Sequence, residues 1–109
     1  MCEVTVLTAG AGRRMLLATF QASSPRVATL WIAARLSAMA EQFDPQDAHW
    51  VRQIFSTDEE HESAMATMAL GEDFTLTLYV DQAVYVLSAG AHAGLLPRTP
   101  GRLRPTVAA

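Results

Sequence analysis

Phe74-Thr75-Leu76-Thr77-Leu78-Tyr79-Val80, followed by Asp81-Gln82-Ala83-Val84-Tyr85-Val86-Leu87-Ser88-Ala89-Gly90, is the stretch on which the fold turns. The first seven residues alternate strictly. Phe74, Leu76, Leu78 and Val80 share one face, and Thr75, Thr77 and Tyr79 share the other, as in a half-buried strand. Asp81 suits the cap of whatever follows. Gln82–Ala89 reads either as a short helix or as a return strand, since Val and Tyr favour a strand while Ala, Leu and Ser sit in both. A helix after Asp81 makes Phe74–Val80 a member of a parallel or mixed sheet. A return strand makes it half of an antiparallel hairpin.

Upstream of that strand, helix signals are explicit. Thr57-Asp58-Glu59-Glu60 is a capping box: Thr57 accepts from the Glu60 amide while the Glu60 side chain reaches back. Its acids suit the positive end of the helix dipole. Ala64, Met65, Met68 and Ala69 form the expected buried face, and Gly71 ends the helix. Asp44-Pro45 is a second cap-plus-proline signal. Residues 48–55 then fit either a short helix or a buried strand, His49–Phe55. Ser24-Pro25 opens a third helix, expected to run to about Phe43. Val27, Leu30, Trp31 and Ala34 form one apolar stripe on it, and Ile32, Leu36, Met39 and Phe43 form another. A helix apolar on so many sides is covered on as many, by core or by a partner.

At the N-terminal end, Glu3–Thr8 alternates as a strand and Ala9-Gly10-Ala11-Gly12 turns the chain. Arg14–Phe20 is a second strand paired back on the first, or the start of a crossover. From Gly90 onward Gly, Pro and Arg dominate without a period. The expected organisation is a single domain over residues 1–93 and a Pro/Arg-rich tail over 94–109. The fold class expected is α/β, a parallel or mixed sheet flanked by helices. The alternative is α+β, with terminal hairpins packed on central helices.

Composition narrows the chemistry. Half of the 109 residues are hydrophobic and 17% are charged, which excludes wholesale disorder. The net charge of −3 is unevenly spread: +3 over residues 1–40, −9 over 41–81 and +3 over 82–109. A chain so balanced is not a general nucleic-acid binder, although it can pair with charged partners. All eight basic residues are Arg, so lysine Schiff-base chemistry and the lysine-bearing phosphate loop are excluded. Cys2 is the lone cysteine, which excludes an internal disulfide. At the chain terminus it is expected to be frayed and unactivated.

No assembled site emerges. His49, His61 and His92 are far apart, and Glu59-Glu60-His61-Glu62 points its side chains in different directions around a helix. Gly10-Ala11-Gly12 lacks the third glycine of a dinucleotide loop, because position 15 is Met15. No Gly-x-Ser-x-Gly elbow is present. Met15, Met39, Met65 and Met68 read as core filler or adaptable interface. We therefore expect no catalytic, cofactor or metal residues. Arg13-Arg14 with Met15-Leu16-Leu17 loosely follows a twin-arginine export signal, with Ala38-Met39-Ala40 placed like a cleavage site. Gln21–Arg26 and Arg35 interrupt the apolar run, so no membrane segment and a cytoplasmic location are expected.

Residues 49–90 carry one resemblance. His49–Phe55, Thr57–Leu70, Phe74–Val80 and Asp81-Gln82-Ala83-Val84-Tyr85 follow one another as strand, acidic-capped helix, hydrophobic strand and Asp-x-x-Val. This order resembles the opening half of the DsrE/DsrF/DsrH-like sulfur-relay family. The resemblance implies a strand at 49–55 parallel to 74–80, with the 57–70 helix crossing between them. It further implies a short helix after Asp81 that tucks Val84 and Leu87 onto the sheet. Gln82 stands where the family commonly has Gly, and the relay cysteine of its catalytic members has no counterpart between Val80 and Ala109. The implied function is a non-catalytic accessory subunit acting through protein contacts in a homo- or hetero-oligomer. The alternative is an unrelated small dimeric adaptor or inhibitor. The 27–43 helix and a Met65/Met68 face are the contact surfaces expected in the first case.

Overall fold

The computed structural model describes residues 2–10 and 12–91. Two hairpins enclose three helices: β1 (Cys2–Gly10) and β2 (Arg13–Ala22), then α1 (Pro25–Ala40), α2 (Pro45–Gln53) and α3 (Asp58–Ala69), then β3 (Phe74–Val80) and β4 (Ala83–Gly90). The strands form one sheet in the order β2-β1-β4-β3, and every neighbouring pair is antiparallel. The expected parallel or mixed sheet is not what the chain builds. The α+β alternative with terminal hairpins fits.

Two local choices produce this difference. Residues 49–53 belong to α2, whose cap Asp44 accepts the Asp47 amide at 3.0 Å and whose first residue is Pro45. With helix there, no strand at 49–55 exists to run parallel to β3. Asp81 then acts as a turn residue and not as a helix cap. Its φ is 59°, the only positive φ outside glycine among the described residues, and Val80 pairs directly with Ala83. A two-residue loop with its first residue at positive φ matches the right-handed strand twist, so the chain returns at once as β4. Val84 and Leu87 accordingly lie on a strand.

The helices cover one face of the sheet. On that face β1 contributes Val4 and Val6, β4 contributes Leu87 and Ala89, and β3 contributes Leu78 and Val80, all buried. Ile32, Leu36 and Met39 of α1, Val51 of α2 and Ala64 and Met68 of α3 meet them. Aromatic contacts tie the layers. Trp31 of α1 stacks on Phe20 of β2 with centroids 5.3 Å apart and planes 7° apart, and Phe55 lies 5.5 Å from Phe74 of β3.

The expected α1 end near Phe43 moves back to Ala40. Gln42 and Phe43 donate to Met39 and Ala40 in tighter three-residue turns, and Asp44 must be extended because Pro45 follows it. The Thr57 capping box forms as read, with the Glu60 amide 3.1 Å from Thr57 Oγ1 and the Glu60 carboxylate accepting the Thr57 amide at 3.0 Å. On α3, Ala64 and Met68 are buried as expected, Met65 is half-buried and Ala69 is exposed. β4 ends at Gly90, where φ is 153°. A Cβ there would meet Asp73 Oδ1 and lie 2.9 Å from the Asp73 Cα, so only glycine lets the two chain segments pass.

The Pro/Arg-rich tail expected at 94–109 lies outside the described residues, as does His92. Among the described residues, no helix is long and apolar enough to cross a membrane.

Candidate functional site

Cys2 is not frayed. It is paired with Ala22 across β1 and β2 and is only 8% exposed within the core, because the chain enters the central strand at its second residue. His61 is committed to structure. Its Nε2 lies 3.0 Å from the Phe55 carbonyl oxygen and its ring centroid 4.5 Å from that of Phe55, which fastens the loop between α2 and α3 to α3. His49 stands on α2, exposed. Gly10 ends β1 opposite Arg13, and Gly12 stands at φ 75° just before β2, so neither builds a dinucleotide loop. Among the described residues, no three His, Cys, Asp or Glu side chains are grouped to hold a metal ion.

The structure gathers acids that the sequence keeps apart. Asp44 and Asp47, at the start of α2, and Asp81, at the β3–β4 turn, line one open cleft with Gln42, Phe43 and Tyr85. The Asp47 carboxyl is raised above its ordinary value by partial desolvation first, then by the charge of Asp44, a side-chain hydrogen bond with it and the charge of Asp81.

A second surface adjoins this cleft and shares Gln42, Phe43 and Tyr85 with it. β2 is an edge strand, and among the described residues nothing pairs with its outer side. At its middle, Met15, Leu16 and Leu17 are 59%, 48% and 38% exposed. A register shift opposite Val6 and Leu7 leaves Leu17 as an extra residue, because Ala18 pairs with Val6 and Leu16 with Leu7. Such a bulge re-aims a side chain. Leu17 is turned to the helix side, where it lines a groove of about 400 Å³ with Arg35, Ala38, Met39, Gln42, Phe43 and Tyr85. Within that groove Arg35 Nε is enclosed, and among the described residues it has no hydrogen-bond partner.

α1 borders that groove through Arg35, Ala38 and Met39, and its Leu30 stands on the α3 side with His61 and Met65. Of its two apolar stripes, Ile32, Leu36 and Met39 are buried, whereas Leu30, 54% exposed, continues through exposed Ala34 and Ala38. Met68 is buried, so the Met65/Met68 face is not the exposed face expected of it. Met15, read as core filler or interface, is on the surface, and Leu16 and Leu17 stand there with it. Alternation alone could not place them, because the bulge breaks the period at Leu17. The arginine pair that precedes Met15-Leu16-Leu17 was the available signal: two adjacent charges make a poor entrance to a buried strand.

No family model, no curated protein and no solved structure matches the chain.

Proposed function

We propose that this protein is a non-catalytic binding module, of the adaptor or inhibitor kind, that works through protein–protein contacts along β2 and the adjoining side of α1. One observation carries the reading: an edge strand of ten residues with Met15, Leu16 and Leu17 exposed in a row at its centre. Unpaired strand edges template further strands, and natural proteins blunt them with charge, proline, bulges or brevity. β2 has two arginines at one end and a bulge at Leu17, but no proline and full length. A partner strand added there gains main-chain hydrogen bonds, while the groove beneath α1 takes a side chain. Arg35, Gln42 and Tyr85 line that groove together with Leu17, Met39 and Phe43, so it is polar as well as apolar.

The sulfur-relay reading draws no support from this architecture, because the parallel strand pair and crossover helix it implies are replaced by α2 and a β3–β4 hairpin. The adaptor reading needs neither.

A photo-reactive residue placed at position 16 of the full chain, in the cells that make it, tests the proposal. It is expected to form a discrete protein crosslink, with the chain itself or with another protein, that Leu17→Lys abolishes. The comparison position is Glu62, exposed on α3. Equal, diffuse crosslinking from positions 16 and 62 would sink the reading.

A further inference from the structure

We infer that the partner on β2 is a second copy of this chain, joined edge to edge in an antiparallel, two-fold dimer. The inference rests on the protein-contact reading above and names the occupant of that surface.

The charge pattern at the strand ends selects it. β2 begins with Arg13 and Arg14 and ends near Gln21, whose side-chain amide donates to Glu3 at 2.6 Å. Two antiparallel copies bring the start of each β2 to the end of the other. Arg14 of one copy then stands opposite Gln21 of its partner, with Glu3 in the next strand behind it, and the same pairing repeats across the axis. Arg14, Gln21 and Glu3 all lie on the sheet face away from the helices, as the pairings Arg14 with Ala9 and Gln21 with Glu3 require. The register is consistent throughout. It sets Met15 against Phe20 on the helix face and Leu16 against Thr19 on the other, so facing residues share a side despite the bulge.

The second sheet edge fails the same test. β3 is preceded by Glu72 and Asp73 and followed by Asp81, so two antiparallel β3 strands would place acid against acid at both ends. A mixed joint of β2 to β3 brings the charges of Arg13 and Arg14 to Asp81 but sets Glu3 near Asp73. It is also heterologous, and repeats without closing. The β2–β2 joint matches opposite charges at both ends and closes on itself. Its two-fold axis runs perpendicular to the sheet, which leaves both helix layers on one side. The exposed Ala38 of each α1, which lines the groove with Leu17, then stands above the joint.

Sedimentation velocity of the full chain, with folding checked by circular dichroism, tests the inference. The wild type is expected at twice the 11.8 kDa chain mass at micromolar concentration. Leu16→Lys enters the joint twice and is expected to weaken association about tenfold or more. Arg14→Glu is expected to do likewise, and adding Glu3→Arg to it restores the charge match and the dimer. A wild type that stays monomeric overturns the inference. So does a dimer indifferent to both single variants, or a species that grows without limit. If the wild type is monomeric yet the position-16 crosslink captures a different protein, the adaptor reading stands and the second copy falls. If the crosslink is also absent, both fall.

Discussion

Glu60 shows how much a single side chain can organise. Its Oε1 accepts the amides of Ser56 and Thr57 and the Thr57 hydroxyl, each at 3.0 Å. These donors favour the charged carboxylate, and they hold Glu60 below its ordinary value, the Thr57 amide first and its hydroxyl second, with Ser56 and His61 adding to them. A carboxylate whose value is lowered by folding stabilises the native state while it is ionised in both states. That contribution is present above the ordinary glutamate range and fades as pH falls through the lowered, folded-state value. Glu60→Gln is therefore expected to destabilise the protein near neutral pH, and the gap from wild type should close in acid. Urea melts at both pH values check it, and a gap that widens on acidification would contradict the capping-box account. Asp47 has the reverse sign: its raised value means that ionisation costs the folded state, so acidification relieves that contribution.

Among the elements, helices were legible because their signals are local. Ser24, Asp44 and Thr57 each accept the amide three residues on, at the three positions the sequence marks as caps. The strands divide. β3 was plain from its alternation, whereas β4 shares its composition with a short helix and was decided by Asp81, a residue equally suited to cap and turn. The sheet order was not legible at all, because β1 meets β4 through pairs such as Val4 with Ala89, which no local pattern announces. The surface at β2 stayed hidden for a related reason, since its bulge erases the period that would place Leu17. The hairpin makes its own prediction. Asp81 tolerates φ 59° because a short polar side chain visits the left-handed region at little cost. A β-branched residue does not, so Asp81→Val is expected to lose about 1–3 kcal/mol. Asp81→Gly should lose little or none. Thermal unfolding of both variants decides this, and equal losses would mean that the turn conformation is not what Asp81 supplies.

For the molecule as a whole, the consequence of the strand order is that the two ends of the described chain are buried together. β1 lies between β2 and β4, and the pair Glu3 with Gly90 joins residues from opposite ends of the domain. Contacts so distant in sequence are formed only when the intervening helices are placed, which favours slow folding and a cooperative sheet. Cys2 is a natural reporter of that cooperativity, being buried beside Ala22 in the central strand and the sole thiol of the chain. If β1 opens only with the sheet, a thiol reagent reaches Cys2 no faster than global unfolding allows. Labelling should then accelerate steeply with denaturant, following the surface exposed in complete unfolding. A terminus that frays locally gives a different signature, with rapid labelling almost independent of denaturant. Pulse labelling read by mass spectrometry separates the two. In the first case the N-terminal strand is a central beam of the sheet. In the second the sheet holds without the first residues of β1, and the Glu3 end of the β2 joint loses its footing as well.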